Sequence, residues 1–206
     1  MPGGSVKLIF LQKIFSKLID SFIDNKVGVT DDFLTNSLAI NLKQNLIELY
    51  AAQQFRNAGI GNEQLVRQDQ LIRSDQIYWL DRKHNNSYEN SFFDCIDRFI
   101  IYLNDTCYAG IKGYEFHYAL YENGSFYKKH LDQFQNDGSR KYSMIIYLNA
   151  DWKESDGGEL CIHHSDHLQM ISPLNRTCVF FQSSELEHEV LLTNTARMSI
   201  TGWLKV

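Results

Sequence analysis

The spacing of apolar residues changes near residue 110. Before that point they recur at intervals of three and four. Phe33, Leu34, Leu38, Leu42, Leu46, Ile47, Leu49 and Tyr50 form one stripe, and Asp31 or Asp32 is placed to cap the helix this stripe predicts. A second helix is expected from about Tyr88 to Leu103, with Phe92, Phe93, Ile96, Phe99 and Ile100 along one side. Upstream, the apolar stretch from Val6 to Ile23 is interrupted at helical intervals by Gln12, Lys13, Ser16, Lys17 and Asp20. That pattern predicts an amphipathic helix docked on the domain, since it is too polar to span a bilayer. The polar segment around Gly59, Gly61 and Asn62 is expected to be a loop, followed by a strand within Gln70 to Leu80.

After residue 110 the pattern is that of strands. Glu115 to Tyr121, Ser143 to Leu148, Leu160 to His163, Thr177 to Phe181 and Arg197 to Lys205 have strand length and composition. Asp156-Gly157-Gly158 and the Pro173 to Asn175 segment mark turns between them. Helices followed by a run of strands predict an α+β fold: a double-stranded β-helix, or jelly roll, with the N-terminal helices packed on one sheet. A chain of 206 residues with 44% hydrophobic content suits one core. We therefore expect a single domain over 1–206, with helical support in 1–110 and the jelly roll in 111–206.

Charge and cysteine usage narrow the function classes. A net charge of −5 disfavours a broad phosphate-binding surface, so no nucleic-acid partner is expected, and no membrane partner either. Cys95, Cys107, Cys161 and Cys178 contain no C-x-x-C pair, which argues against a zinc knuckle or a dithiol redox motif. Reduced thiols in a cytoplasmic protein are the simplest expectation.

The candidate chemistry lies in His130-Leu131-Asp132 and the distant His188. Residues i and i+2 of an extended segment point the same way, so His130 and Asp132 can reach one ion. His188 can join them from another strand. Two imidazoles and one carboxylate leave one side of a metal open, the ligand pattern of non-haem Fe(II) oxygenases. A hydrolytic zinc site is the competitor, although no general base for it is evident. Arg197, nine residues after His188, adds a planar cation able to pair bidentately with the far carboxylate of a dicarboxylic cosubstrate. His163, His164 and His167 are also close in sequence. Adjacent strand residues point to opposite faces, so these three are not expected to share an ion. His117, among apolar neighbours, reads as structural, and Phe180 and Phe181 as core.

Several separated segments carry a family resemblance. They are Arg73 to Trp79, Tyr127 to Asp132, Tyr147 to Trp152, Gly157 to Leu160, Phe180-Phe181 and Arg197 to Trp203, together spanning about two thirds of the chain. In this order they resemble the Fe(II)- and 2-oxoglutarate-dependent dioxygenases. Within that family the likeness is to the prolyl hydroxylases that modify hypoxia-inducible factor and to their bacterial relatives. The resemblance implies Fe(II) held by His130, Asp132 and His188, with 2-oxoglutarate and O2 as cosubstrates and ascorbate as a reductant. Arg197 would pair with the C5 carboxylate of 2-oxoglutarate, with the Tyr147 hydroxyl as a second contact. Tyr121, Tyr127 and Trp203 would line the pocket. Arg73 and Asp75 would end the loop that closes over a protein substrate, and Arg140 would pair with Asp75.

The implied reaction is prolyl 4-hydroxylation of a protein, coupled to conversion of 2-oxoglutarate to succinate and CO2. Elongation factor Tu is the first candidate substrate, and the enzyme is expected to be a cytoplasmic monomer. The alternatives are the same chemistry on a non-prolyl or small-molecule substrate, and a non-catalytic module that senses 2-oxoglutarate or O2. Nucleic-acid demethylases of this family carry a second arginine six residues after the first, where this chain has Trp203.

Overall fold

The computed structural model describes residues 3–59, 71–133 and 138–206, with side chains from residue 11 onward. Among the described residues, three α-helices precede most of the strands. In α1 (Gly3–Asn25) the buried residues Ile14, Phe15, Leu18 and Ile19 fall on one stripe, and the Phe15 ring packs 5.1 Å from that of Phe99. The helix docks on the body of the protein, as its amphipathic spacing predicts. Among the described residues, no helix is long and apolar enough to cross a membrane.

Helix α2 (Asn36–Ala51) starts later than the apolar stripe suggests. Its cap is Thr35, whose hydroxyl accepts the Leu38 N–H at 3.3 Å, and not Asp31 or Asp32. Phe33 and Leu34 are almost fully buried, so their burial holds the preceding chain against the core before the helix can begin. Asp32 pairs instead with Arg176. Helix α3 (Ser87–Cys107) contains the expected second helix and is capped by Asn86, whose side chain accepts from the Tyr88 and Glu89 N–H groups.

Eleven strands lie among the described residues: β1 (Val27–Thr30), β2 (Arg56–Asn57), β3 (Gln76–Trp79), β4 (Gly113–Tyr121), β5 (Tyr127–His130), β6 (Arg140–Tyr147), β7 (Leu160–His163), β8 (Leu168–Ile171), β9 (Cys178–Gln182), β10 (Glu187–Val190) and β11 (Arg197–Lys205). They form a seven-stranded sheet in the order β1-β9-β6-β11-β4-β3-β2 and a four-stranded sheet in the order β5-β10-β7-β8. The eight strands β4 to β11 divide four and four between the sheets, which is the jelly roll. All five strands expected after residue 110 are present to within three residues at either end. The strand expected within Gln70 to Leu80 narrows to β3, while Gly61, Asn62 and Gln70 lie outside the described residues. Strands β1, β2, β5, β8 and β10 were not expected.

The seven-stranded sheet is covered on both faces. Phe116, Met144, Ile146, Phe180, Ile200 and Leu204 join Phe33 and Phe99 in the core under the helices. Ala119, Ile145, Val179 and Phe181 face into the jelly roll with Leu160, Ile162 and Val190 of the smaller sheet. Double coverage explains why residues 144–147 of β6 and 178–181 of β9 are continuous apolar runs rather than alternating ones.

Candidate active site

The jelly roll brings the three expected donors together at one end of the smaller sheet. His130 ends β5, Asp132 follows it, and His188 lies on β10 directly across from His130 in the strand pairing. His130 Nε2 lies 3.5 Å from Asp132 Oδ1, and His188 Nε2 lies 3.6 Å from Asp132 Oδ2. One donor atom from each falls within 4.8 Å of the others, close enough to share an ion.

The other ring nitrogens fix the orientation of both imidazoles. His130 Nδ1 lies 2.8 Å from the Lys128 carbonyl, and His188 Nδ1 lies 3.1 Å from the Leu186 carbonyl. A carbonyl only accepts, so each Nδ1 carries the proton and donates it, leaving Nε2 as a lone-pair donor aimed at the ion. Burial lowers His188 to about 4, against the pull of Asp132, which keeps the ring neutral at neutral pH. Burial opposes the charge on Asp132, but His188, His130 and a hydrogen bond from Ser143 hold its carboxyl well below the usual carboxylate range. Ser143 Oγ donates to Asp132 Oδ2 at 2.6 Å and lies 2.9 Å from Ser183 Oγ. Neither serine was among the sequence candidates. Ser143 could have been found as the polar residue in register with Ile145 and Tyr147 on the inward face of β6.

A second buried group answers to a different chemistry. Arg197 is 2% exposed and sits with its guanidinium carbon 4.8 Å from the Tyr121 ring centroid and 4.9 Å from that of Tyr147. Its Nε donates to the Gly158 carbonyl at 2.8 Å, whereas Nη2 has no partner, and neither has the buried Tyr147 hydroxyl. Among the described residues no carboxylate pairs with Arg197, and a buried cation without a counter-charge is costly, so this corner fits an anion with planar oxygens. Gly158 makes the approach feasible. Its φ is +76°, and a Cβ there would meet the Arg197 Cδ at 3.0 Å.

The remaining sequence candidates surround this cleft to different degrees. Tyr121, Tyr127, Trp203 and Arg73 line it together with the donor triad and Arg197, and so does His117. The Tyr127 ring stacks on His130 at 3.5 Å between centroids, and Arg73 lies over Tyr127 at 4.5 Å. Packed this way, the cleft encloses a cavity of about 30 Å³. Trp203 Nε1 is also buried without a partner. The expected pairing of Arg140 with Asp75 is not what forms. Asp75 is held bidentately by Arg73, at 2.6 and 2.9 Å, while Arg140 binds Glu115 at 2.7 Å and stacks over Trp203 at 3.5 Å. Asp75 is nearer to Arg73 because both lie on the short stretch leading into β3, and Arg73 already bridges to Tyr127.

Comparison with known proteins agrees with this geometry. Residues 116–205 match the model of the 2OG-Fe(II) oxygenase superfamily. A prolyl 3-hydroxylase, OGFOD1, of Xenopus laevis is 31% identical over an aligned region covering 31% of this chain and 15% of that protein, so the chain spans only a small part of that curated relative. A prolyl-4-hydroxylase of Pseudomonas putida superposes with a TM-score of 0.86 at 29% identity, covering 94% of this chain and 100% of that one. A Trichoplax adhaerens prolyl hydroxylase, solved with a peptide of hypoxia-inducible factor, superposes at 0.88 with 23% identity, over 99% of this chain and 94% of that one, and supports the fold. Fe(II) and 2-oxoglutarate, the metal and cosubstrate of this superfamily, suit the residues present: a three-donor set without thiolate and a buried guanidinium whose Nη2 is unpartnered beside the Tyr147 hydroxyl. Residues 116–205 thus carry the match to the 2OG-Fe(II) oxygenase superfamily, and the fold and the donor set agree with it.

Proposed function

We propose that this chain is a prolyl 4-hydroxylase acting on a protein substrate, with elongation factor Tu as the first candidate. The observation that carries the enzymatic reading is buried Arg197, which lines the same cleft as the intact His130, Asp132 and His188 set and keeps its Nη2 unpartnered beside Tyr147. Bound Fe(II) with 2-oxoglutarate supplies the oxidising chemistry, in which O2 is consumed, 2-oxoglutarate leaves as succinate and CO2, and one oxygen atom is added to the substrate carbon. Ascorbate would serve as the external reductant. Prolyl specificity is supported by the near-complete mutual coverage with the Pseudomonas putida prolyl-4-hydroxylase.

The protein's own residues then have separable tasks. His130, Asp132 and His188 would hold the metal, with Lys128 and Leu186 carbonyls orienting the imidazoles and Ser143 keeping the carboxylate ionised and fixed. Arg197 and Tyr147 would bind the far carboxylate of 2-oxoglutarate, and Tyr121 would pack against the guanidinium from the other side. Tyr127 and Trp203 would exclude water from the metal face. Arg73, held by the buried Asp75, would meet the protein substrate at the mouth of the cleft, with Arg140 behind Trp203. A cytoplasmic location fits a substrate of the translation machinery.

The test is anaerobic addition of Fe(II) and 2-oxoglutarate, followed by intact-mass analysis of candidate proteins incubated with the enzyme in air. The proposal expects a visible metal-to-ligand absorption band that is lost in His130→Ala and a 2-oxoglutarate-dependent gain of one oxygen on a proline. A band with oxygen gained on another residue type or a small molecule overturns the prolyl assignment alone. A band with no turnover on any substrate supports a non-catalytic sensor, and no band overturns the cofactor reading.

A further inference from the structure

We propose that Cys161, His163 and Glu189 form a second metal site, on the outer face of the smaller sheet, for a zinc-class divalent cation. The three residues come from neighbouring strands. Cys161 and His163 are at i and i+2 on β7 and so share a face, and the pairing of β7 with β10 sets Glu189 directly opposite Cys161. Ile162 and His188, one position along on each strand, point into the jelly roll. The outer set is thus back to back with the inner donor triad across a single layer of backbone.

The spacing suits coordination. Cys161 Sγ lies 3.9 Å from His163 Nε2, and His163 Nε2 lies 2.9 Å from Glu189 Oε1. All three donor atoms fall within 4.8 Å of one another. Tetrahedral zinc, with bonds of about 2.3 Å to sulfur and about 2.1 Å to nitrogen or oxygen, needs edges of about 3.6 Å for S–N and about 3.4 Å for N–O. The sulfur edge is already close, and the second requires His163 and Glu189 to part by about half an ångström, within reach of a rotamer adjustment in a flexible Glu side chain. His163 and Glu189 keep about a quarter of their side-chain surface exposed, which gives an ion a route in and leaves a fourth position to solvent.

Donor chemistry separates the two sites. The inner set has no sulfur, whereas the outer set offers one thiolate with an imidazole and a carboxylate, a combination that favours zinc-class ions. Burial and the Glu189 carboxylate push the Cys161 thiol up, so without metal the group remains S–H. On binding, the S–H bond is replaced by an S–metal bond and the proton leaves to buffer. His164 and His167 take no part. His164 Nε2 contacts Gln169 at 2.9 Å, and the two rings stack on each other. An occupied outer site would clasp β7 to β10 and so steady the strand that carries His188.

Co2+ is the probe that distinguishes the sites, because only the outer one supplies a thiolate. Titrating the full chain with Co2+ under anaerobic conditions is expected to give a near-ultraviolet thiolate-to-cobalt band that persists in His130→Ala, disappears in Cys161→Ser and is displaced by one equivalent of Zn2+. Persistence in His130→Ala makes the result independent of the inner site. A wild-type protein without the band, or a band that survives in Cys161→Ser, overturns the proposal. Glu189→Gln guards against misfolding of the cysteine variant. It should bind Zn2+ at least about tenfold more weakly against a competing chelator, with unchanged circular dichroism. Unchanged Zn2+ affinity would reduce the cluster to a His163–Glu189 ion pair.

Discussion

The two faces of the seven-stranded sheet treat polar atoms in opposite ways. Toward the helices, the strands present Phe116, Met144, Ile146, Phe180, Ile200 and Leu204, and the Tyr118 hydroxyl on that face is met by Asn45 at 3.1 Å. Toward the inside of the jelly roll, the same strands present Ser143, Tyr147, Arg197 and Trp203. Tyr147, Arg197 and Trp203 supply three of the four buried side-chain polar atoms without a partner among the described residues. One face is finished by folding and the other is left incomplete. Unpaired buried polar atoms normally destabilise a protein, so their concentration on one face marks where a ligand is to complete the structure.

The sharpest way to break this contrast is to exchange the expected roles of the faces. Phe180→Ala, on the helix side, should destabilise by about 3–5 kcal/mol in chemical denaturation, because a large ring is removed from a closed core. Should that variant instead retain stability and lose only activity, the division between structural and functional faces would fail.

His117 tests the inner face by pH. Its ring, packed between Trp79 and Trp203, is lowered to about 4, mainly by burial. The unfolded chain binds the proton near pH 6.5 and the folded protein only near pH 4. The unfolded state therefore carries more protons between these values, and stability falls as pH falls through that window. Relative to His117→Gln, the wild type should lose about 3 kcal/mol between pH 7 and pH 4, measured as the difference of two denaturation series. Parallel series would mean that His117 titrates alike in both states.

Ser143→Ala should act on the site more than on the fold. Losing the 2.6 Å hydrogen bond to Asp132 is expected to weaken Mn2+ or Fe(II) binding by about 10- to 100-fold, read by calorimetry. Full metal affinity would show that Ser143 is merely accommodated there. The smallest effect is expected for Trp203→Phe, which removes an unpaired N–H and should change stability by less than about 1 kcal/mol while altering substrate turnover.

What could be read from the chain followed the same division. Strands buried on both faces, such as β6 and β9, announce themselves as apolar runs, and the stripe of α3 is clear. The strands that went unrecognised include β5, Tyr-Lys-Lys-His, and β10, Glu-His-Glu-Val, whose composition is set by ligands and solvent rather than by a core. The clustering of His130, Asp132, His188 and Arg197 was legible all the same, because two donors at i and i+2, a distant histidine and a following arginine form a chemical pattern that does not depend on recognising the strands. Partners fixed by tertiary contact were not legible. The exchange of Arg140 for Arg73 at Asp75, the cap at Thr35, the support of Asp132 by Ser143 and the placement of Glu189 opposite Cys161 all depend on register between distant segments.

The most direct measurement is the thermal shift produced by 2-oxoglutarate in the presence of Mn2+, for the wild type and for Arg197→Met. At a 2-oxoglutarate concentration about 100-fold above Kd, the wild type should gain about 5–10 °C. Arg197→Met should melt at or above the ligand-free wild-type temperature, since an unpaired buried cation has been removed, and should show no shift with 2-oxoglutarate. An equal shift in both proteins, or a variant that melts far below the wild type without ligand, would contradict the assignment of the incomplete inner face to a carboxylate ligand.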